Sequence, residues 1–168
     1  MIIETERLTL RPIDLGDAYD IFLYRSDKEV NKYQDFVPTT WFEVDGFINN
    51  TVKEVNLPNT WFQLVLELKP DKQVIGDIGI NFTNKKDEVA IGYTLSKAHQ
   101  GKGYAHEAVS TVINYLFKEL SKKKIVAYIL PENASSIKLI KKLGFKSSGE
   151  VDKYGDLTFE LTSSKTES

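Results

Sequence analysis

The sequence predicts an α/β (α+β) domain with a mixed central sheet of about seven strands, mostly antiparallel with one parallel pair, and four flanking helices. Three consecutive strand patterns are joined by short turns, which is typical of an antiparallel meander. A strand, a long helical segment and another strand follow, and such a crossover makes a parallel pair. The chain has 168 residues, 41% of them hydrophobic, without linkers or repeats. We therefore expect a single domain over residues 1–168 with a polar tail from about residue 162.

The first third of the chain predicts one strand and two helices. Residues 7–11 alternate as a strand does, and Asp14 caps the first helix. Thr40 followed by Glu43 is a capping box that starts the second helix, which we expect to run to Pro58. Residues 30–38, between the helices, are aromatic and irregular. The apolar stripes assigned to the two helices are Leu15, Ala18, Tyr19 and Phe22, and Val44, Phe47, Ile48, Val52 and Val55.

The rest of the chain predicts six strands and two helices. The meander occupies residues 61–68, 74–82 and 88–95. Apolar residues at three- and four-residue steps from Ala105 to Leu120 predict a long helix, and residues 125–129 form a buried strand. Asn133 caps the last helix and Gly144 ends it. Residues 145–151 and 157–161 form the closing hairpin.

The composition excludes several classes of function. The formal net charge of −2, with both signs mixed along the chain, argues against a nucleic-acid partner. Without cysteines and with two histidines, we expect neither disulfides nor a metal site. No apolar run reaches ~18 residues, and the first residues lack the pattern of a signal peptide. We therefore expect no membrane association and a cytoplasmic location.

Two glycines, Gly101 and Gly103, separate the third strand of the meander from the long helix. Glycine allows close approach of the backbone to a ligand, and the free amides of the first helical turn favour an anion by ~0.3–1 kcal/mol. A P-loop is excluded because Lys102 is followed by glycine rather than Ser or Thr. A dinucleotide fingerprint is excluded because His106 stands where a small residue is needed and because the loop follows the fourth strand. A phosphate site of another kind is expected.

The pattern Gln100-x-x-Gly103-x-Ala105 resembles the acyl-CoA pyrophosphate loop of the GCN5-related N-acetyltransferases (GNAT). Residues 133–145, which begin Asn-x-x-Ser and end Leu-Gly-Phe, resemble that family's closing helix. The segments TERLTLRP at 5–12, IGYTL at 91–95 and GYAHEA at 103–108 are similar to its ribosomal-protein N-terminal acetyltransferase branch. The segments occur in the family's order, which makes the resemblance specific.

The resemblance implies the GNAT fold, with the parallel strands splayed around acetyl-CoA. In the family, the strand before the loop pairs with the pantetheine arm, the loop backbone holds the pyrophosphate, and the asparagine of the last helix also binds the arm. A lysine of that helix is the candidate for the 3′-phosphate. The candidate CoA-binding residues are therefore Tyr93, Thr94, Leu95, Gln100, Gly101, Lys102, Gly103, Tyr104, Ala105, Asn133, Ser136 and Lys138.

The resemblance also implies direct transfer of the acetyl group from acetyl-CoA to an amine in a ternary complex. Many family members carry a tyrosine acid seven residues after the asparagine, but Ile140 stands there in this chain. We assign Asn133, Ser136 and Ile140 to one helical face, which makes Ser136 the candidate thiolate proton donor. Ser136 is equally compatible with a purely structural place in the first helical turn. Glu88 is the candidate base.

The amine acceptor is predicted from the energy of deprotonation. At pH 7, a lysine-like amine of pKa ~10.4 costs ~4.6 kcal/mol to deprotonate, whereas an α-amine near ~8 costs ~1.4 kcal/mol. The α-amine of a protein or peptide is favoured, and a polyamine or other small amine is the alternative. Tyr33 and Phe36 are candidate acceptor contacts. A non-catalytic CoA-binding or sensing module is a further alternative, and we expect a monomer or a homodimer.

Overall fold

The computed structural model describes residues 1–29 and 31–164, which form one eight-stranded sheet and four α-helices. The strands are β1 (Ile3–Glu4), β2 (Leu8–Pro12), β3 (Thr60–Leu68), β4 (Val74–Phe82), β5 (Glu88–Leu95), β6 (Lys124–Ile129), β7 (Lys146–Val151) and β8 (Leu157–Thr162). The helices are α1 (Ala18–Arg25), α2 (Trp41–Asn49), α3 (Tyr104–Lys118) and α4 (Ala134–Lys142), with 3-10 turns at Leu15–Asp17 and Lys97–His99.

The strand order is β1-β2-β3-β4-β5-β6-β8-β7, and every neighbouring pair is antiparallel except β5 and β6. The predicted mixed sheet, its meander and its parallel pair are confirmed. The sheet has one strand more than the seven predicted. The additional strand is β1, whose two residues are too few to show an alternating pattern.

The two parallel strands separate toward one end. They pair over three positions, from Glu88 opposite Lys124 to Ala90 opposite Val126. Beyond Ala90, β5 stays paired with β4 as far as Leu95, whereas β6 stays paired with β8. A gap therefore opens in the sheet beside the second half of β5, and the predicted splay of the parallel pair is confirmed.

Hydrophobic clusters cover both faces of the sheet. The larger cluster contains the buried stripe of α3, including Val109, Val112 and Leu116, packed against β2 to β6. The smaller one joins α1 and α2 to the opposite face through Val65 and Val74. The long amphipathic helix is confirmed, although it ends at Lys118, before Leu120. The larger cluster also contains Val89 and Ile91, so α3 packs against β5.

The predicted buried stripe of α1 is right for Ala18 and for the partly buried Phe22, but it is wrong for Leu15 and Tyr19. Leu15 and Tyr19 are 55% and 59% exposed, whereas α1 buries Ala18, Ile21, Tyr24 and Arg25. The first turn at Leu15–Asp17 is a 3-10 turn, whose tighter winding rotates the face that follows. Two polar side chains, Tyr24 and Arg25, are buried because they bind a buried carboxylate described below. Asp14 is confirmed as the cap of this segment.

The second helix begins as predicted but is shorter. The Thr40–Glu43 capping box is present, and α2 ends at Asn49 rather than near Pro58. The Thr51 hydroxyl donates to the Ile48 carbonyl over 2.7 Å, and the Val52 N–H then donates to Trp61 of β3 over 3.3 Å. The chain is thereby turned back onto the sheet, so Val52 packs on the core from a loop.

The carboxyl-terminal half matches the prediction in its elements. Asn133 caps α4, Gly144 follows it at φ 96°, and β7 and β8 form the closing hairpin. The end of the predicted polar tail, residues 165–168, lies outside the described residues. Within the described part of the chain, no helix is long and apolar enough to cross a membrane.

Candidate functional site

A cleft of about 430 Å³ opens where β5 and β6 separate. Its walls come from the end of β5, the hinge (residues 96–103) between β5 and α3, the first turns of α3 and α4, and the α1–α2 loop (residues 26–40). The lining residues are Asn31, Tyr33, Gln34, Tyr93, Thr94, Leu95, Gln100, Gly101, Gly103, Tyr104, Ala105, His106, Asn133, Ser135, Ser136, Lys138, Leu139 and Lys142. Four separate stretches of the chain, residues 31–34, 93–95, 100–106 and 133–142, thus contribute to one cavity.

The hinge presents backbone amides to this cleft. Gly101 and Gly103 lie at φ 75° and 84°, a left-handed conformation that favours glycine. Within the described residues, the amides of Gly101, Lys102 and Gly103 and those of residues 104–106 at the start of α3 donate to no protein acceptor. The Gln100 side chain donates to the Leu95 carbonyl over 3.0 Å and fixes the start of the hinge. Free amides at the start of a 15-residue helix are a site for phosphate.

Arg7 ties the hinge to the amino-terminal segment. Its Nε lies 2.7 Å from Oε2 of Glu107, and its Nη1 donates to the Lys102 carbonyl over 2.9 Å. The guanidinium stacks on the Tyr104 ring at 4.1 Å. Thr5 also donates to Glu107, over 2.6 Å. Because Glu107 lies in the first turn of α3, Arg7 neutralises a carboxylate that would otherwise repel an anion there.

The first turn of α4 meets the end of β5 in the cleft. The Asn133 side chain accepts a hydrogen bond from the Ser136 amide over 3.4 Å and caps the helix. The Tyr93 hydroxyl lies 2.7 Å from Oγ of Ser136 and 3.3 Å from its carbonyl oxygen. Burial raises the pKa of Tyr93 to about 12, although the bond to Ser136 acts in the opposite direction. The phenol is therefore protonated throughout the neutral pH range.

A buried charged network underlies the cleft on the α1 face. Asp77 of β4, opposite Thr94, accepts hydrogen bonds from Arg25 over 2.6 and 3.0 Å, from Gln63 over 2.7 Å and from the Tyr24 hydroxyl. Both carboxylate oxygens are thus occupied. Among the described residues, Oγ1 of Thr94 is buried without a hydrogen-bond partner. Such an atom is costly unless a ligand or water satisfies it.

The α1–α2 loop forms the wall opposite the hinge. Asn31 anchors it by donating to the carbonyl of Tyr24 over 2.6 Å. Gln34 reaches across the gap and donates to the Tyr93 carbonyl over 3.4 Å. Arg25 donates to the Phe36 carbonyl over 3.0 Å, so the Asp77 network also holds this loop. The loop is therefore attached both to β5 and to the buried charges.

Comparison with known proteins identifies the family. The acetyltransferase (GNAT) domain matches residues 7–146. An uncharacterized N-acetyltransferase p20 of Bacillus licheniformis is 37% identical over 151 residues, which cover 89% of this chain and 85% of that protein. The chain belongs to the GNAT family. It is an acetyl-CoA-dependent N-acetyltransferase.

More distant relatives agree with the branch and the fold expected from the sequence. The ribosomal protein uS5-alanine N-acetyltransferase of Escherichia coli is 26% identical over 162 residues, covering 89% of this chain and 80% of that enzyme. A GNAT acetyltransferase of Bacillus anthracis shares the fold with a TM-score of 0.85 and 24% identity, over 96% and 98% of the two chains. Spermidine N-acetyltransferase of Vibrio cholerae, solved with CoA and spermine, gives a TM-score of 0.79 and 22% identity, over 95% and 97%.

The cleft of the acetyltransferase fits CoA in three respects. The hinge amides suit a pyrophosphate, and no atom of the described residues lies within 4 Å of the position that a Cβ of Gly101 would take. Lys138 and Lys142 add positive charge on the α4 wall. The unpaired Thr94 hydroxyl offers a hydrogen bond to a ligand beside β5. Among the residues that the structure describes, no three His, Asp or Glu side chains are placed to hold a metal ion.

Most of the CoA-binding residues predicted from the sequence line this one cleft. Lys102 does not: its side chain is exposed, and its carbonyl is bound by Arg7. Of the two candidate acceptor contacts, Tyr33 lines the cleft. Phe36 lies outside it, because its ring stacks on Phe47 at a centroid distance of 4.5 Å.

The candidate base Glu88 is not in the cleft. It begins β5, whereas the cleft lies at the Leu95 end, ~23 Å away along the strand. Its carboxylate pairs with Lys124 at 2.8 Å and Lys85 at 3.5 Å. Burial would raise its pKa, but these two cations outweigh burial and lower it. Glu88 therefore lies too far from the cleft to act as the base.

The shared helical face assigned to Ser136 and Ile140 is also wrong. Ser136 lines the cleft, whereas Ile140 is fully buried in the larger hydrophobic cluster. Lys138 and Leu139 are the next α4 residues after Ser136 that line the cleft. Ile140 is a core residue because the apolar side of α4 packs on the sheet. In this acetyltransferase a tyrosine hydroxyl nevertheless reaches Ser136, from Tyr93 of β5.

Sequence reasoning missed the roles of Arg7, Gln34 and the Tyr93 hydroxyl. Arg7 and Glu107 were recognised only as letters of a family pattern, and nothing local links two residues 100 positions apart. Gln34 stands next to Tyr33 in a loop without periodicity. The alternation of β5 does indicate that Tyr93 and Thr94 point to opposite faces, but not which side chain each would meet.

Proposed function

We propose that the acetyltransferase moves the acetyl group directly from acetyl-CoA to the α-amine of a protein or peptide while both are bound in the cleft. The continuity of the cleft carries this proposal. Gly101 and Gly103 of the hinge, Ser136 of α4, and Tyr33 and Gln34 of the α1–α2 loop all line the cleft. A cavity that extends from the phosphate site to this loop accommodates donor and acceptor together, so orientation rather than a covalent acetyl-enzyme supplies the rate enhancement.

The chain's own groups divide the work on the donor. The amides of residues 101–105 bind the pyrophosphate, and Lys138 binds a further phosphate. Acetyl-CoA supplies the acetyl group as a thioester. The Leu95 carbonyl accepts from Gln100 and so points away from β4, and strand geometry places the Leu95 N–H on the same side. The Leu95 amide is therefore the donor proposed for the oxygen that gains negative charge during transfer.

The acceptor class follows from the groups that could take its proton. No carboxylate is among the residues that line the cleft, and Glu88 is remote. His106 lines the cleft, and histidine is the side chain that most often accepts protons in enzymes. Without a strong base, an α-amine is easier to deprotonate than a lysine-like amine by ~3 kcal/mol. An amino-terminal α-amine, the acceptor type of the uS5-alanine relative, fits best.

A polyamine is the second candidate, and one observation favours it. Burial and the charges of Asp152 and Asp35 raise the pKa of Asp156. The carboxylate of Asp35, which follows Gln34 in the α1–α2 loop, is thus near those of the closing hairpin. Negative charge there would attract a long cation such as spermidine, the substrate named for the Vibrio cholerae neighbour.

Release of free thiol from acetyl-CoA distinguishes these acceptors. The first is a lysine-free peptide with a free amino terminus, the second the same peptide with its terminus blocked and one lysine added, and the third spermidine. We expect the first to raise thiol release most. A response to spermidine alone would select the second candidate. No response to any amine, with CoA binding intact, would overturn the proposal in favour of a non-catalytic CoA module.

Gly103→Asp provides the control for this assay. An aspartate there places a negative charge against the pyrophosphate site and should abolish both CoA binding and thiol release. The monomeric or homodimeric state and the cytoplasmic location stay predictions from the sequence.

A further inference from the structure

The contact between Tyr93 and Ser136 joins two elements that approach the cleft from different parts of the chain. The phenolic oxygen lies 2.7 Å from Ser136 Oγ, a short distance for two hydroxyls. Both side chains line the cleft and neither is fully buried, so a ligand can reach Ser136. A purely structural hydroxyl pair would not need to lie at the wall of a cavity.

Either hydroxyl of the pair can donate to the other, and the Tyr93 hydroxyl also lies 3.3 Å from the Ser136 carbonyl oxygen. The phenol stays protonated over the neutral range because burial raises the pKa of Tyr93 to about 12. Its ring is held by β5, whose register with β4 is regular from Phe82 opposite Val89 to Gly76 opposite Leu95. When the phenol donates to Oγ of Ser136, the serine proton is free to point into the cleft.

We propose that Tyr93 is a positioning residue that relays a proton through Ser136 to the departing thiolate. This inference rests on the proposed function and names a group beyond it. A serine hydroxyl alone is too weak an acid to protonate a thiolate, because it would leave an alkoxide. A phenol that gives its proton to the same oxygen leaves a phenolate in place of the alkoxide and so lowers that cost.

The proposed step conserves protons and electrons. The amine nitrogen forms a bond to the carbonyl carbon, and the C–S bond breaks with its electron pair going to sulfur. Ser136 gives its proton to sulfur and receives the proton of Tyr93. The amine loses one proton on becoming an amide, and through water in the cleft this proton restores the phenol. No oxidant, reductant or additional reactant is required.

Tyr93→Phe tests the relay, since it removes one oxygen and keeps the ring. We expect kcat with acetyl-CoA to fall roughly 10²- to 10⁴-fold, the usual contribution of one proton-transfer group. The KM for acetyl-CoA and the affinity for CoA should stay unchanged. Tyr115→Phe, the same change on α3 away from the cleft, should leave kcat at the wild-type value.

A second substrate separates a proton relay from a structural role. An acetyl thioester of an aromatic thiol has a leaving group of low pKa, which departs without protonation. With this donor, the ratio of the wild-type kcat to the kcat of Tyr93→Phe should fall toward one. A deficit of the same size with both donors, or an increased KM with unchanged kcat, would show that Tyr93 acts only through packing and would overturn the relay.

A double-mutant cycle adds a measurement that does not depend on Tyr93→Phe alone. Because Tyr93 acts through Ser136, the double variant should be no slower than Ser136→Ala. Independent, multiplicative losses would contradict the relay. If the wild type transfers acetyl groups and Tyr93→Phe keeps its kcat, the relay fails and the proposed function stands. If the wild type releases no thiol with any amine, both fail.

Discussion

Arg7 and Glu107 connect the amino-terminal segment to the first turn of α3 through both side chain and backbone. The Arg7 guanidinium lies 2.7 Å from one carboxylate oxygen, and the Arg7 backbone N–H donates to the other over 2.8 Å. The same guanidinium holds the carbonyl of Lys102, between the two glycines of the hinge. The shape of the hinge, the proposed phosphate site, thus depends on a residue near the start of the chain.

Arg7→Ala should weaken CoA binding by loosening the hinge. We expect CoA affinity to fall on the order of tenfold, the size typical for loss of a charged hydrogen bond that supports a binding loop. S-acetyl-pantetheine lacks the pyrophosphate, so its kcat/KM should be unchanged. Calorimetry and thiol release measure the two effects. Lys118→Ala, which removes an exposed cation at the far end of α3, is the matched control. Equal losses with both substrates would refute this role.

The Glu107 carboxylate should contribute to stability in a pH-dependent way. Burial disfavours its charged form, but hydrogen bonds from Thr5 and Arg7 outweigh burial and lower its pKa. A lowered folded-state pKa gives stabilisation that is present above the unfolded value, near 4.5, and is lost as pH falls through the folded value. The free energy of unfolding, measured in urea from pH 6 to pH 3, should therefore fall less steeply for Glu107→Gln than for the wild type.

The control for the Glu107 measurement is Glu150→Gln, which removes an exposed carboxylate from β7. Its profile should follow the wild type. If Glu107→Gln loses stability as steeply as the wild type, the Arg7–Glu107 contact does not stabilise the folded state.

Gly103 and Gly155 have similar backbone strain, so substitutions at these two positions distinguish an effect on folding from an effect on CoA binding. Gly103 and Gly155 lie at φ 84° and 87°, so an alanine at either should cost ~1 kcal/mol of stability. A Cβ at Gly103 would lie 3.2 Å from Arg7 Nη2, whereas none of the described atoms lies within 4 Å of a Cβ at Gly155. The melting temperature should fall by a similar amount in both variants, whereas CoA affinity should fall only in Gly103→Ala. Normal CoA binding by Gly103→Ala would contradict the assigned site.

The Asp77–Arg25 pair should be important for both stability and acceptor binding. Asp77→Ala leaves a buried guanidinium without its counter-charge and should cost ~3–5 kcal/mol in urea unfolding. The milder Asp77→Asn is suited to kinetics. Arg25 holds the α1–α2 loop through the Phe36 carbonyl. Asp77→Asn should therefore raise the KM for the amine more than the KM for acetyl-CoA. Glu29→Ala, in an exposed pair with Lys32, should leave both unchanged.

The elements that the sequence predicted well are those with strong local signals. Each strand from β3 to β5, the stripe of α3 and the caps at Thr40 and Asn133 depend on residues close in sequence. The hinge between β5 and α3 was predictable for the same reason, since its glycines and the start of the helix are adjacent in the chain. Burial of β6 between two strands produces its continuous apolar run.

The missing parts depend on long-range contacts or on which side of a helix packs. Ser136 and Ile140 lie on the same helix, and only packing against the sheet determines that Ile140 is buried. The contact from Tyr93 to Ser136 spans 43 positions and has no local signature. The error on Glu88 was avoidable, because a residue at the start of β5 cannot reach a site at its other end.

The structure of the acetyltransferase with CoA bound tests the assignment of the cleft most directly. Pyrophosphate oxygens should lie ~3 Å from the amides of residues 101–105, and the sulfur should lie beside the hydroxyls of Ser136 and Tyr93. A pyrophosphate bound away from the hinge, or a sulfur remote from Ser136, would contradict it.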